Sequence, residues 1–412
     1  MSRGFRSIRG IHDGLPEETK RWQYIEQVAF NIFARFGFSE VRLPILEPTA
    51  LFIHSIGRET DIVSKEMYRF EDRGGDDICL RPEGTAGTVR AWLQAGLSRA
   101  GVQRWYYSGP MFRRERPQKG RLRQFQQIGV EMFAAPGPME DADLISMAQQ
   151  LLDKLSINNT RLEINSLGCP DCRPPYRTKL VAFLQEITGQ LCGTCNDRTE
   201  KNPMRVLDCK TETCQQALLL APEMLSCLCP ACEAHFSALK LGLDALSVHY
   251  HVNPRIVRGL DYYNRTAFEF ITDQLGAQGT LLAGGRYDSL IETLGGPGTP
   301  AIGFALGLER LAMLIPPMVP DRPDVAIVAL GDPVATYALK VAGDLRRSGC
   351  SVIHCGSGSA KRQFKMADRE GVRFVVVIGE DEMKSNLLTF RNMRSGEQKN
   401  ASLETVIATV LQ

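Results

Sequence analysis

Between residues 17 and 36, Trp22, Ile25, Ala29, Ile32, Phe33 and Phe36 recur at helical spacing. This predicts an amphipathic helix, ended by Gly37. Residues 40–44 predict a short strand that Pro44 confines to a sheet edge or a strand end. Two strands, 104–107 and 124–133, are expected around a polar loop over 113–120, followed by a helix at 141–155. Residues 166–246 are mostly helical in pattern and interrupt the strands, as an insertion would. Strands resume at 248–252 and 267–272. A glycine-rich stretch follows at 276–298, and 305–314 reads as a helix. Residues 316–323 hold four prolines and form a linker by composition. Beyond it, apolar strands at 325–330, 352–354 and 374–378 alternate with helices at 333–347 and 361–370, which predicts a βαβαβ unit on a parallel sheet. No internal repeat is evident.

Composition adds bounds. The chain has 412 residues, enough for two or three domains, with 43% apolar and 23% charged residues. A net charge of +2 gives no global electrostatic case for nucleic acid, so any such case must be local. The basic N-terminal stretch lacks the apolar run of a signal peptide. The apolar run at 372–379 is far too short to span a membrane. A cytoplasmic protein without membrane association is expected.

Candidate chemistry begins at residues 104–123, where Arg104, Arg113, Arg114, Arg116, Lys119, Arg121 and Arg123 face a single acid, Glu115. Phe125, Gln127 and Glu131 follow at even spacing and so share one strand face. That face offers a π-platform, an amide and a carboxylate beneath an arginine loop, which suits a nucleotide beside a second polar ligand. The plain alternative is a solvated hairpin loop. Residues 258–264 combine Arg258, Asp261, Tyr262, Tyr263 and Asn264. Such a mixture suits a wall that holds a small polar ligand and faces a phosphate. For Asp261 and Asn264 the alternative is turn chemistry.

These segments resemble known motifs. Phe112-Arg113-Arg114-Glu115 with Phe125 resembles motif 2 of class II aminoacyl-tRNA synthetases, residues 303–311 resemble motif 3, and the strand ending Leu43-Pro44 fits motif 1. Arg81-Pro82-Glu83-Gly84-Thr85 and residues 258–264 resemble the histidine-specific motifs of the histidyl-tRNA synthetases. The resemblance covers nearly the whole chain. It implies an α+β fold: a class II antiparallel-sheet catalytic domain over 1–322, with a Cys-rich helical insertion at about 166–246. A C-terminal α/β (βαβαβ) anticodon-binding domain over 323–412 would follow.

By the same resemblance the activity is histidine–tRNA ligation. ATP, with Mg²⁺ on its phosphates, would activate L-histidine, which would then pass to tRNA(His). Arg113 and Arg258 would be catalytic, meeting the α-phosphate from opposite sides, where a fixed cation stabilises developing charge. Glu115 and Phe125 would hold adenine, and Arg310 the γ-phosphate. Glu83, Thr85 and Gln127 would take the substrate ammonium, Glu131 and Tyr263 the imidazole nitrogens, with Tyr262 and Tyr287 completing the walls. For Glu83 and Thr85 the alternative is a helix N-terminal cap. For Arg310 it is a surface ion pair, and for the tyrosines plain core. Arg116, Gln118 and Arg123 would approach the acceptor stem. A homodimer formed through motif 1 is implied. The other reading is a non-catalytic paralogue, the regulatory subunit of ATP phosphoribosyltransferase.

Nine of the twelve cysteines lie between Cys169 and Cys232. Without a secretory signal a disulfide framework is not expected. Cys169-x-x-Cys172 and Cys192-x-x-Cys195 have zinc-knuckle spacing, and together they suit a structural tetrahedral site in the insertion. The alternative is free thiols. His249 and His251 are expected to pack, and residues 356–361 to form an ordinary loop.

Overall fold

The computed structural model describes residues 5–412 apart from Glu59, Arg258, Gly259, Val319 and Pro320, and apart from the side chains of Ala277 and Gln278. Two compact units divide the chain, Met1–Met318 and Val319–Gln412.

The first unit is built on an eight-stranded sheet. Its strands are β1 (Ser39–Glu40), β5 (Gln103–Phe112), β6 (Gln124–Phe133), β7 (Arg161–Ser166), β8 (His251–Val252), β9 (Asn264–Ile271), β10 (Thr280–Arg286) and β11 (Ala301–Gly307). The order across the sheet is β1-β5-β6-β11-β10-β9-β7-β8. Only the outer pairs β1–β5 and β7–β8 are parallel, so the centre is antiparallel throughout. A small three-stranded sheet pairs β4 (Asp77–Leu80) with β2 (Leu46–Pro48) and β3 (Tyr68–Glu71).

The helix Pro16–Arg35 covers one face of the large sheet. Pro16 sits in its first turn with Glu17 and Glu18, favourable at the positive end of the helix dipole, and Arg35 sits in its last turn. Its buried residues Ile25, Ala29, Ile32 and Phe33 lie against the sheet, where the Phe33 ring meets Tyr106 and Phe304. The helices Pro138–Lys154 and Pro230–Ala245 pack on each other and share that core.

Several boundaries differ from expectation. The strand expected at 40–44 is reduced to Ser39–Glu40, with Val41 N–H still donating to the Tyr106 carbonyl (2.8 Å), and Pro44 has no N–H to continue the ladder. The helix expected at 305–314 is a strand to Gly307 and only then a helix, Leu308–Ala312. The alternation there was masked because both faces of this central strand are buried. Within the expected insertion, the helix Pro230–Ala245 contributes Phe236, Leu239 and Leu243 to the main core. His249 and His251 are exposed rather than packed.

In the second unit β12 (Val325–Ala329), β13 (Val352–His354) and β14 (Phe374–Ile378) are parallel, as the alternating pattern predicts. Two further strands, β15 (Leu388–Asn392) and β16 (Gln398–Ala401), extend the sheet antiparallel, giving the order β13-β12-β14-β15-β16. This unit is therefore a βαβαβ element with an added hairpin. Its core is its own: Val325, Ile327, Val376, Ile378 and Val406 on one face, Ala326, Val328, Val375 and Ala367 on the other. Residues 356–359 form a loop that leads into the helix Ala360–Glu370, so Ala360 and Lys361 of the expected loop are its first turn.

Candidate functional site

The β5–β6 hairpin lays the base of the site. Gly109 pairs with Gln127, Tyr107 with Gly129 and Trp105 with Glu131, so these residues share one face. The neighbouring strands continue that face with small residues: Gly303, Ala305 and Gly307 opposite Glu131, Gly129 and Gln127, then Ala283 and Gly285 on β10. A row of glycine and alanine in mid-sheet leaves a hollow. Larger side chains rim it, giving a cavity of about 410 Å³.

Basic groups close one end. The loop between β5 and β6 is held by Arg113 N–H on the Arg123 carbonyl (2.9 Å) and by an ion pair between Arg121 and Glu115 (2.8 Å). Arg113 donates through Nε to the Pro82 carbonyl (2.8 Å), and its guanidinium lies 5.4 Å from the Phe125 ring centre. Arg310 donates to the carbonyls of Gly120 (3.0 Å) and Thr280 (2.7 Å), tying the loop to β10. Burial, and then the nearby Arg121, lower the Arg310 pKa. Two cations held close together and partly out of water suit a polyanion.

The other end is a carboxylate–tyrosine network. Both oxygens of Glu83 accept helix N-terminal N–H groups, from Thr85 (2.8 Å) and Ala86 (2.9 Å), while Tyr262 Oη lies 3.5 Å away. Glu131 accepts from Tyr287 (2.6 Å), Thr85 (2.7 Å) and Tyr107 (3.4 Å). Burial outweighs those donors and lifts the Glu131 carboxyl to about 8, and burial raises Glu83 as well. The rings of Tyr262 and Tyr263 lie 4.7 Å apart, and those of Tyr262 and Tyr287 5.8 Å. Gln127 Oε1 is buried without a hydrogen-bond partner, so it is open to a ligand donor. Acids held protonated by burial ionise when a cation enters beside them and then pair with it, so this end suits an ammonium and a ring with polar nitrogens.

The histidyl-tRNA synthetase family profile matches residues 10–170 and 204–311, and an anticodon-binding-domain profile matches 324–412. A histidine–tRNA ligase of Anaeromyxobacter sp. (strain K) is 48% identical over 409 residues, covering 98% of each chain. One from Acetivibrio thermocellus is 46% identical over 407 residues, covering 97% of this chain and 98% of the relative. The chain belongs to the histidyl-tRNA synthetase family. It has the class II fold, and it is an aminoacyl-tRNA ligase by that membership. Apo histidyl-tRNA synthetase from S. aureus superposes with a TM-score of 0.82 at 34% identity, covering 99% of this chain and 100% of that one. A Bacillus halodurans protein titled ATP phosphoribosyltransferase regulatory subunit/histidyl-tRNA synthetase, at 20% identity and a TM-score of 0.64, shares the fold.

Of the residues singled out from the histidyl-tRNA synthetase motifs, Glu83, Thr85, Arg113, Glu115, Phe125, Gln127, Tyr262, Tyr263 and Arg310 line the one cavity. Glu131 and Tyr287 lie beneath it, each 1% exposed, and bond to each other. Arg258 lies outside the described residues. Arg116 and Gln118 are exposed on the hairpin loop, whereas Arg123 is half-buried and donates to the Glu115 carbonyl (3.1 Å). Glu83 acts as the helix cap that was the alternative to ligand binding, with lone pairs to spare for a cation.

Sequence reasoning missed Tyr107, whose ring is buried beneath Gly84 and Gly129; only the hairpin register, which sets it opposite Gly129 between Gln127 and Glu131, reveals its place. It also missed Asp208 and Lys210, which reach the cavity from the insertion and carry no local signal.

The paired knuckles do not meet. The expected site of Cys169, Cys172, Cys192 and Cys195 is replaced by two quartets: Cys169, Cys172, Cys229 and Cys232, and Cys192, Cys195, Cys209 and Cys214. Each knuckle opens a helix, and each is closed by cysteines further along the chain, which spacing alone could not pair. The family profile leaves residues 171–203 unmatched, so part of this Cys-rich insertion lies outside the shared core.

Proposed function

We propose that this chain activates L-histidine with ATP and transfers it to tRNA(His). A single observation carries the reading. One cavity joins an arginine end that suits a triphosphate to an acid–tyrosine end that suits an ammonium and an imidazole. The histidine carboxylate attacks the α-phosphorus of ATP, forming a P–O bond as the bond to pyrophosphate breaks. The 3′-terminal ribose hydroxyl then attacks the acyl carbon and AMP departs with its electron pair.

Arg113 meets the α-phosphate as charge develops there, and Arg258 is assigned the opposite side by the family motif. A preorganised cation of this kind contributes on the order of 10²–10³ in rate. Phe125 stacks on adenine. Glu115, steadied by Arg121, keeps lone pairs for the adenine amino group. Arg310 takes the γ-phosphate. Mg²⁺ accompanies ATP on its phosphates, so no dedicated protein cage is required.

Glu83, Thr85 and Gln127 take the substrate ammonium; the unpartnered Gln127 Oε1 supports this. Glu131 and Tyr263 address the imidazole, with Tyr262 and Tyr287 as walls. Analogues that leave these buried groups unpaired are rejected by ~10⁴-fold or more. Exposed Arg116 and Gln118, with Arg123 behind them, form the acceptor-stem contact. Residues 324–412 read the anticodon, in line with their profile.

The reading includes a homodimer in the cytoplasm. Exposed Ile45, Leu46 and Phe70 at the small sheet support an interface there, and among the described residues no single helix is long and apolar enough to cross a membrane. Structural Zn²⁺ in the insertion is part of the proposal. The test is histidine-dependent exchange of pyrophosphate into ATP, followed by acylation of tRNA(His). A folded protein that exchanges nothing with histidine overturns the reading.

A further inference from the structure

Two cysteine quartets lie outside the chemistry described so far. Within each, the four Sγ atoms lie within 4.8 Å of one another. Cys169 and Cys172 sulfurs are 3.6 Å apart, Cys169 and Cys229 3.8 Å, and Cys192 and Cys209 3.9 Å. Disulfide sulfurs sit ~2.05 Å apart, so these pairs are unbonded. A zinc ion ~2.3 Å from each of four thiolates sets tetrahedron edges of about 3.8 Å, which matches the separations.

Backbone donors support thiolate charge in both sets. Cys229 N–H donates to Cys172 Sγ and Cys192 N–H to Cys214 Sγ, each at 3.1 Å. Both donor sets are all-sulfur and complete at four, which suits tetrahedral zinc and leaves no open position for catalysis.

The quartets also stand where the insertion meets the cavity. Cys209 of the second quartet lies between Asp208 and Lys210, and both of those side chains line the cavity. The helix Gly193–Lys201, which carries Cys195, sends Arg198 to Asp61 (2.6 Å), and Asn202 at its end donates to Asp261 (3.2 Å). In the first quartet Cys172 is followed directly by Arg173, whose guanidinium donates to the Tyr263 carbonyl. The insertion's buried core is small, and four of its eleven buried members are quartet cysteines, Cys172, Cys195, Cys214 and Cys232. A core of that size needs staples.

We propose that this protein carries two structural Zn(Cys)₄ sites that hold the insertion against the Asp261–Tyr263 segment and keep Asp208 and Lys210 on the cavity wall. The bracing part rests on the histidine-activation reading; the metal sites do not. Full-length protein purified without added metal should contain two zinc ions per chain by elemental analysis. Cys195→Ser and Cys232→Ser should each reduce this to one. Where a variant fails to fold, cobalt(II) exchanged into the unmutated protein should give the visible bands of tetrahedral tetrathiolate coordination, at two ions per chain.

Zinc-free protein with intact exchange activity overturns the proposal, as does one ion shared by cysteines of both quartets. Two bound zinc ions without histidine-dependent exchange support the metal sites and overturn the function reading instead. Removal of the second zinc from protein that stays folded should raise KM for histidine on the order of tenfold, with a smaller change in kcat. An unchanged KM overturns the bracing.

Discussion

At the residue scale the decisive group is Glu131, whose carboxyl burial lifts from 4.5 to about 8. Between those values the folded protein holds a proton that the unfolded chain has released. The group's contribution to stability is therefore full below about 4.5 and is lost as pH rises through about 8. Glu309 is raised to about 7 and adds a slope of the same sign, so a difference measurement isolates Glu131. Glu131→Gln should flatten the fall in urea midpoint between about pH 5 and pH 9, and should raise histidine KM by roughly 10- to 100-fold with little change for ATP, as a lost charge-assisted bond of ~1.5–3 kcal/mol implies. An unaltered pH slope contradicts the assignment. Gly303 makes a second case: a Cβ there would meet Glu131 Oε2 at 1.9 Å and the Val130 carbonyl at 2.4 Å. Gly303→Ala should therefore displace the carboxylate and impair histidine activation before it unfolds the chain, as read by exchange kinetics beside far-UV circular dichroism. The positions around Glu131 were legible in the sequence, because Phe125, Gln127 and Glu131 alternate on one strand. Its partner Tyr107 was not, because a tyrosine inside an aromatic run reads as core until the hairpin register is known.

At the scale of elements, the helix Pro138–Lys154 is fastened to β10 by a buried cluster. Asp141 accepts from Arg286 (2.6 Å) and Thr266 (2.5 Å), and neither side chain of the Asp141–Arg286 ion pair reaches solvent. Arg286 is followed directly by Tyr287, so the cluster positions the tyrosine that holds Glu131. Asp141→Ala leaves the buried Arg286 guanidinium with Asp288 (2.9 Å) as its carboxylate partner, and should destabilise the first unit by up to about 3–5 kcal/mol. Chemical denaturation measures this, and a loss below about 1 kcal/mol would argue against the cluster as an anchor. Helical periodicity located the N-terminal helix within a few residues, since it buries a single stripe, and the pattern also placed this helix within a few residues although Leu144 to Ala148 are buried without a break. Periodicity failed at Ala301–Gly307, where burial on both sides erases alternation, and at the hairpin Leu388–Ala401, whose polar outer strand resembles a loop. The knuckles were visible as spacing, but their partners lie as far as sixty residues along the chain (Cys169 to Cys229) and were fixed only by the fold.

For the whole molecule, the two units keep separate hydrophobic cores. A chain ending at residue 318 should therefore retain histidine-dependent pyrophosphate exchange within a few-fold while losing most tRNA(His) acylation efficiency. Loss of both together would show that the units depend on each other. Their separation was readable from the proline-rich linker, while the substrate assignment needed four motifs in order, because no single segment specifies it. The sheet order carries one more consequence, for synthesis. Strand β6 is complete at Phe133, but its partner β11 begins only at Ala301. At ~5–20 residues per second, a ribosome leaves that edge without its mate for roughly ten to thirty seconds. During this interval the glycine-lined base of the future pocket is an open template for any passing strand, so the nascent chain is most exposed to misassociation while the insertion is being made.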